Sequence, residues 1–540
     1  MNDGSRPASL REAIWSRISG PWDLLIIGGG ITGAGILREA TRFGLTALLV
    51  EQRDFGSGTS SRSSKLVHGG LRYLKQGNLR LTRESVHERE RLVREGPGLV
   101  ERLGFVLASY PGEHPGRIQY GSGLVVYDVL AGRWNHRHLS AEEVRALAPR
   151  ISPEGLRGGF WFGDAETDDA RLVFRVIREA VAGGAAALNY APVEELLMHR
   201  GEVAGVLVKD GLEDRAFEVR ARAVINATGA WADRLRAKAG ATARLRPLRG
   251  SHLVFPAWRL PAPQAMSLLH PRDRRPLFVV PWEGVTIFGT TDVDHRGPLE
   301  EGPAIGEAEA AYLMEALAAR FPSLDLTFRD ALATFSGVRP IIGTGKKDPS
   351  KESRDHAIWE EHGLVTVTGG KLTTFRQIAL AALRAVRRRF SGPVRLDEST
   401  SILDSVPEDL AVGSALDKGQ RRRLLGRYGL EAGQVVASAR PGELTPFPST
   451  AVFPAEIRWG ARSEWIGHLD DLLLRRVRLG LVAARGGATH LPAIREICRD
   501  ELGWDEARWA EEERGYLRLW RRQHGVPPDR EMEVSSWAGS

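Results

Sequence analysis

Apolar positions along this chain change their period several times, and the changes mark out its elements. Residues 24–27 form a short apolar run of the kind that makes a buried strand, and 45–50 form a second. Between them Ile36, Leu37 and Ala40 recur at helical spacing. Residues 81–94 predict a charged helix with one exposed face. Residues 164–182 predict a loop running into a helix, with Asp168 or Asp169 at its N-cap. The stretch 105–150 carries no clear period and is expected to be irregular. Strand-like runs return at 203–208, 217–219 and 223–225. From 248 to 294 the pattern is all-β, with strands at 253–255, 277–280 and 285–289 between prolines and glycines. Residues 304–320 predict a helix, and 332–339 a return towards the first domain. Residues 364–368 predict a strand, Gly369-Gly370 a turn, and 372–390 a long helix whose closing arginines complement its dipole. Residues 1–20 read as a loose arm with one amphipathic turn at 10–18. Residues 391–420 read as a linker, and 456–482 and 507–520 as helices with interspersed Trp and Arg.

The first strand feeds Gly28-Gly29-Gly30-Ile31-Thr32-Gly33, a G-x-G-x-x-G match. Gly28 allows the tight turn, Gly30 lets backbone amides approach a pyrophosphate, and Gly33 lets the helix pack close to the sheet. The helix N-terminus adds unpaired N–H groups and a partial positive charge. Glu51, roughly 20 residues further on, ends the second strand where a ribose hydroxyl is bound in such units. Strand, glycines, helix, strand and acid in register predict a dinucleotide-binding βαβ unit, and leave the identity of the dinucleotide open. Residues 223–229 end a buried strand in Ala227-Thr228-Gly229, which suits close approach to the same nucleotide. Residues 54–74, dense in Ser and Gly with Arg62, Lys65, His68 and Arg72, suit a backbone that wraps a cofactor.

At 540 residues the chain exceeds one hydrophobic core, and two or three domains are expected. The net charge of +7 favours anionic partners, yet no RNA- or DNA-binding motif is present and no nucleic acid is expected. A single cysteine, Cys498, excludes an intramolecular disulfide framework and a cysteine-ligated iron–sulfur cluster. The N-terminus lacks a secretory apolar region, and no uncharged apolar stretch reaches the ~20 residues of a spanning helix. A cytoplasmic protein is expected, peripheral at most on the inner face of the cytoplasmic membrane. Only one nucleotide fingerprint is present, since neither Gly121-Ser-Gly123 nor Gly343-Thr-Gly345 completes a second. Reducing equivalents are then expected from a small substrate, leaving to a quinone, oxygen or another protein.

His252 lies among small and apolar residues and titrates near neutrality, which makes it the general-base candidate. Arg339, in an otherwise apolar stretch, is the candidate for gripping a phosphate. Asp292 is a candidate for positioning. The Gly369–Thr374 corner gathers a helix N-terminus, Lys371, Thr373 and Thr374, a positive end suited to stabilising a reduced ring.

The segments IIGGGITGAG (26–35), TSSRSSKLVHGGLRYL (59–74), NATGAWAD (226–233), GSHLVFP (250–256), FGTTDVD (288–294), SGVRP (336–340) and GGKLTTFR (369–376) resemble, in order, those of the FAD-dependent glycerol-3-phosphate dehydrogenases. The resemblance covers about residues 22–390 and continues more weakly through LDDLLLRRVRLGL (469–481). It implies an α/β fold: a Rossmann-like FAD-binding domain (21–110, 151–245 and 331–392) and an interposed antiparallel β substrate domain (111–150 and 246–330), of the glutathione-reductase/D-amino-acid-oxidase kind. A C-terminal helical domain (393–540) follows. It implies that Gly28, Gly30, Thr32, Gly33, Glu51, Ser60, Ser61, Ser64, Lys65, His68, Gly69, Gly70, Ala227, Thr228, Gly229, Gly370, Lys371, Leu372, Thr373 and Thr374 hold FAD. Arg72, Tyr73, Arg339, Lys371 and Asp292 would line the substrate pocket, with His252, Arg339 and Lys371 serving catalysis. The implied reaction oxidises sn-glycerol 3-phosphate to dihydroxyacetone phosphate, with quinone as acceptor. A homodimer and an anionic membrane surface, met by the basic apolar segment 472–481, are further expectations. A glycerol-3-phosphate oxidase, an amine or amino-acid oxidase, and a non-catalytic nucleotide-binding module are the alternatives.

Overall fold

The strand Trp22–Ile27 is buried along nearly its whole length because it is sandwiched between parallel neighbours, Ala47–Val50 and Ala216–Asn226. Parallel strands covered on both faces read as continuous apolar runs, as here. The computed structural model describes residues 10–71, 78–113, 116–343, 345, 352, 355–390, 397–407, 410, 412–413 and 416–527. Its first sheet has the strand order His356–Glu361, Leu364–Gly369, Ala216–Asn226, Trp22–Ile27, Ala47–Val50, Ala186–Leu188, with Val193–His199 and Glu202–Lys209 attached through Ala216–Asn226. Leu24 and Ile26 face one side with helices Ile31–Arg42, Asp169–Ala182 and Phe375–Val386. Leu25 and Ile27 alternate to the other side.

The second sheet is mostly antiparallel and holds nine strands. Its longest strand, Leu245–Pro256, pairs with Val285–Gly289 on one side and with Ala333–Ile342 on the other, from Leu245↔Ile342 to Val254↔Ala333. Three of its strands, Val100–Ala108, Gly159–Thr167 and Ala333–Ile342, come from stretches that the sequence reading gives to the nucleotide-binding part. They join this sheet because their backbone ladders run against it: Val100–Ala108 pairs with Gly159–Thr167 along its length and with Ala265–Leu269 at one end. The expected loop before the Asp169 helix is therefore a strand, and the residues at 332–339 stay in the second sheet. Asp168 is the N-cap, accepting from the Arg171 amide at 3.2 Å.

Residues 105–150 are not irregular. They contain the helices Arg117–Ala131 and Ala141–Leu147 and the strand His136–Leu139. The longer helix hid its period because Ile118, Val125, Val126 and Val129 stay exposed, so apolar residues surround it. The N-terminal arm is docked from Leu10 onward, with Ile14, Trp15 and Ile18 buried and Trp15 against Phe217. The expected linker is packed where it is described, since Ile402 and Leu403 enter the first core. The expected helix at 372–390 divides into a 3₁₀ turn Leu372–Thr374, the helix Phe375–Val386 and a 3₁₀ turn Arg387–Arg389.

The C-terminal part is helical, with Lys418–Tyr428, Pro454–Ser463, Leu491–Leu502 and Glu506–His524 as its longer members. The expected single helical stretch at 456–482 is broken by a π-helical turn, Leu472–Arg476, and by left-handed Arg478. Leu472, Leu473, Leu474, Leu479 and Leu481 are buried, and so are Arg475, Arg476 and Arg478. That segment pairs with Asp54, Asp168, Asp169 and Asp471 inside the protein, so it offers no face to a lipid surface. No helix among the described residues is long and apolar enough to cross a membrane.

Candidate active site

A cleft of about 1950 Å³ runs from the glycine turn across the face of the second sheet. Pockets for single small ligands occupy roughly 300–1,000 Å³, so this one has room for a dinucleotide and a small partner. At one end Gly28 adopts φ +113°, and a Cβ there would stand 2.6 Å from the Ala227 carbonyl oxygen. A Cβ on Gly33 would fall 1.9 Å from the Gly28 carbonyl oxygen. Only glycine allows these approaches, and Gly30 at the N-cap brings the Ile31–Arg42 helix no capping side chain of its own. Gly30, Ile31 and Thr32 line the cleft there, and Ser60 Oγ accepts the Ile31 amide at 3.0 Å. Glu51 also lines it, its carboxylate held by the Gly29 and Arg53 amides at 2.7 and 2.9 Å. These are the features a dinucleotide requires: a backbone cradle open to pyrophosphate and an acid at the next strand end.

The remaining expected cofactor residues divide between the wall and its support. Ser60, Ser64, His68 and Gly70 line the cleft, as do Ala227, Thr228 and Gly229. Gly370, Lys371, Leu372 and Thr373 close it from the far side, after two left-handed glycines with φ +76°. The 3₁₀ turn beginning at Leu372 has no side-chain cap, so a second positive backbone end meets the cleft. Gly33, Ser61, Lys65, Gly69 and Thr374 lie behind the wall instead. Lys65 is fully buried, its Nζ donating to the Ser61 carbonyl at 2.7 Å and to both Asp169 oxygens. Burial, reinforced by Arg478, brings that ammonium down to about 7. Gly69 packs under the Tyr127 hydroxyl and donates to Asp164 at 3.0 Å.

The catalytic candidates meet through sheet register. Three consecutive same-face rungs pair Phe335 with His252, Gly337 with Gly250, and Arg339 with Leu248. The middle rung carries no side chain, and the Arg339 guanidinium lies over it: a Cβ on Gly250 would be 2.4 Å from Arg339 Nη2. Arg339 donates to Asp292 Oδ1 at 3.1 Å and to Thr290 Oγ1 at 3.2 Å. His252 stacks on Phe335, ring centres 4.5 Å apart, with Nε2 at 2.8 Å from Ser64 Oγ. Its Nδ1 is buried without a protein partner. Burial, then the charges of Arg339 and Lys65, hold His252 well below its usual 6.5, so the ring is neutral at pH 7. Arg339, Asp292, His252 and Lys371 all line the cleft. Lys371 Nζ donates to Ser85 Oγ at 2.9 Å, from the turn to the helix Leu79–Glu95. Arg72 and Tyr73 lie outside the described residues.

Arg275 and Thr290 are among the cleft residues that escaped the sequence reading. Arg275 lines the wall and donates to the Asp292 carbonyl at 3.2 Å, and Thr290 props Arg339. The run Arg272-Asp273-Arg274-Arg275 between two strands was the available signal, a cationic turn in an otherwise apolar sheet.

Comparison with known proteins gives the family and the fold. A family profile described as FAD dependent oxidoreductase matches residues 23–376. A second, the C-terminal domain of alpha-glycerophosphate oxidase, matches residues 394–509. The chain is 35% identical over 512 residues to the aerobic glycerol-3-phosphate dehydrogenase of Bacillus subtilis (strain 168), covering 90% of this chain and 92% of that protein. It is 33% identical, with the same coverage, to the enzyme of that name from Staphylococcus aureus (strain USA300). Among solved structures it resembles the glycerol-3-phosphate dehydrogenase from Bacillus halodurans complexed with FAD, with TM-score 0.77 and 27% identity, over 98% of this chain and 100% of that one.

Proposed function

This chain belongs to the FAD-dependent glycerol-3-phosphate dehydrogenase family and binds FAD, and we propose how its cleft oxidises sn-glycerol 3-phosphate to dihydroxyacetone phosphate. One observation carries the reading: a cationic fork, Arg339, and a neutral imidazole, His252, adjoin on one sheet face of a dinucleotide-sized cleft. Arg339 grips the phosphate, because a guanidinium meets phosphate oxygens bidentately and charge-assisted bonds are about twice as strong as neutral ones. Asp292 and Thr290 hold the fork in place beforehand. His252 takes the proton of the C2 hydroxyl, its ring fixed between Phe335 and Ser64. When bound, FAD accepts the hydride from C2. Lys371 and the uncapped turn at Leu372–Thr374 bring positive potential to the same cleft, where negative charge accumulates.

Electrons leave to a quinone dissolved in a membrane. In support, the helix Arg117–Ala131 exposes Ile118 and Val129 to solvent, and Trp134 follows it, 68% exposed. Ser122, Gly123 and Val126 of the same helix line the cleft. Exposed Arg133 follows the same helix, while Arg80 and Arg137 on neighbouring elements are each paired with a carboxylate, Glu84 and Glu143, so the lipid contact rests chiefly on the apolar anchors.

Anaerobic mixing of the yellow holoenzyme with glycerol 3-phosphate tests the reaction. Bleaching of the flavin band is expected, followed by recolouring with a quinone analogue. A band that persists at saturating substrate rejects the substrate, and recolouring in air as fast as with quinone, with peroxide formed, makes the enzyme an oxidase. Arg339→Ala is expected to raise the substrate KM strongly while FAD stays bound, and unchanged kinetics would remove Arg339 from the site.

A further inference from the structure

The loop at 54–66 has two working sides. Its outer side, with Ser57, Ser60, Ser63 and Ser64, lines the cleft. Its underside is bound by the C-terminal helices. Asp54 is buried and accepts from Arg475 and from Arg476, whose Nη1 and Nη2 reach Oδ2 and Oδ1 at 2.6 and 2.9 Å. Burial pushes that carboxyl up, but Arg476 and Arg475 outweigh it and hold it below the usual range. Arg478 Nη2 donates to the Ser61 carbonyl at 2.7 Å and to Asp169 Oδ1 at 3.0 Å. Asp169 in turn receives the Ser63 amide and hydroxyl at 2.9 and 2.7 Å. Arg62 reaches Gln523 Oε1 at 2.7 Å. Unusual backbone aims these arginines: Arg475 and Arg476 close the π-helical turn, and Arg478 sits at φ +63°, a conformation an L side chain rarely adopts. Such features persist where surrounding contacts enforce them, and here the loop supplies Asp54 and the Ser61 carbonyl among those contacts.

We propose that the C-terminal helical part is a clamp on the cofactor loop, with Arg478 as the positioning residue that sets how tightly FAD is retained. The proposal rests on the flavin assignment and is independent of the substrate. Arg478 fixes the Ser61 carbonyl directly and Ser63 through Asp169. These flank Ser60, which accepts the first amide of the nucleotide helix, and Ser64, which is bonded to His252. Arg478 itself stays outside the cleft lining, so its effect passes through the loop.

The test uses the full chain, stripped of flavin and titrated with FAD by fluorescence, with thermal midpoints recorded with and without FAD. Arg478→Met is expected to weaken FAD binding about tenfold, the scale of one lost charge-assisted hydrogen bond. The FAD-induced rise in midpoint shrinks with it, and Arg478→Lys restores part of both. A residue that only packs would lower both midpoints equally and leave FAD affinity unchanged, and that result overturns the clamp. Should Arg478→Met fail to fold, Gln523→Leu removes the tie between Arg62 of this loop and the C-terminal helix and decides by the same titration, with about threefold weaker FAD expected and unchanged affinity overturning the clamp. Tight FAD with no bleaching by glycerol 3-phosphate would reject the substrate reading and leave this one standing.

Discussion

His252 works as a base because it is kept uncharged. Burial and the neighbouring Arg339 and Lys65 all disfavour its protonated form, so it remains able to accept a proton well into mildly acidic solution. The acid limb of kcat is therefore expected below pH 6.5, the ordinary histidine value. The measurement belongs on kcat at saturating substrate, because the phosphate of the free substrate titrates near pH 6 itself. A limb at or above pH 6.5, or one that survives in His252→Gln, assigns the proton transfer elsewhere. His252→Gln should lower kcat about 10²–10⁴-fold, the usual worth of a positioned base. Gly250 makes the complementary case by having no side chain. An alanine Cβ there would stand 2.4 Å from Arg339 Nη2 and 2.6 Å from Thr290 Oγ1, so the fork must shift. Displacements of about 1 Å can cost on the order of 10²-fold. Gly250→Ala should lose about that in kcat/KM, mainly through KM, with flavin content per chain unchanged.

Among elements, the glycine turn and the two strands beside it were legible because a buried parallel strand, a tight turn and an uncapped helix each leave a composition mark. The strand ending in Ala227-Thr228-Gly229 and the corner at Gly369-Gly370 were legible for the same reason. The Arg117–Ala131 helix was not, because its apolar residues face solvent as well as the protein. Nor was the fate of the basic segment around Arg475: leucines and arginines in alternation read equally well as a lipid-facing helix. The acids that neutralise the arginines, above all Asp54, Asp168 and Asp169 far away in the chain, decide against it. In the reading proposed above, the exposed helix takes the membrane role instead, and fully burying a side chain such as Val129 is worth roughly 1.5–3 kcal/mol. The enzyme is expected to sediment with phosphatidylglycerol-containing vesicles at low salt. Substituting serine for Ile118, Val129 and Trp134 together should release it without changing turnover with a soluble acceptor. Wild-type protein that stays in the supernatant ends this reading.

At the scale of the molecule, the parts are joined by buried charge. Asp168 caps the Asp169–Ala182 helix and also meets Arg427 and Arg478. Burial raises that carboxyl, but the two arginines and Lys65 prevail and hold it at about 2. A folded value below the unfolded ~3.9 contributes stability that is complete above about pH 5 and disappears as pH falls through 2, roughly 2–3 kcal/mol in all. Thermal midpoints should fall across that window, and Asp168→Asn should flatten the fall. These pairings were invisible in the sequence because each partner reads as an ordinary surface charge, and only the tertiary fold brings them under one roof.

The same pairings bear on how the protein is made. Asp54 and Arg475 are separated by 421 positions, and Ser61 and Arg478 by 417. At ~5–20 residues per second a ribosome needs about 20–80 s to pass from one to the other. Throughout that interval Asp54 and Ser61 lack their arginine partners, so the underside of the loop closes only once residues 475–478 have been made.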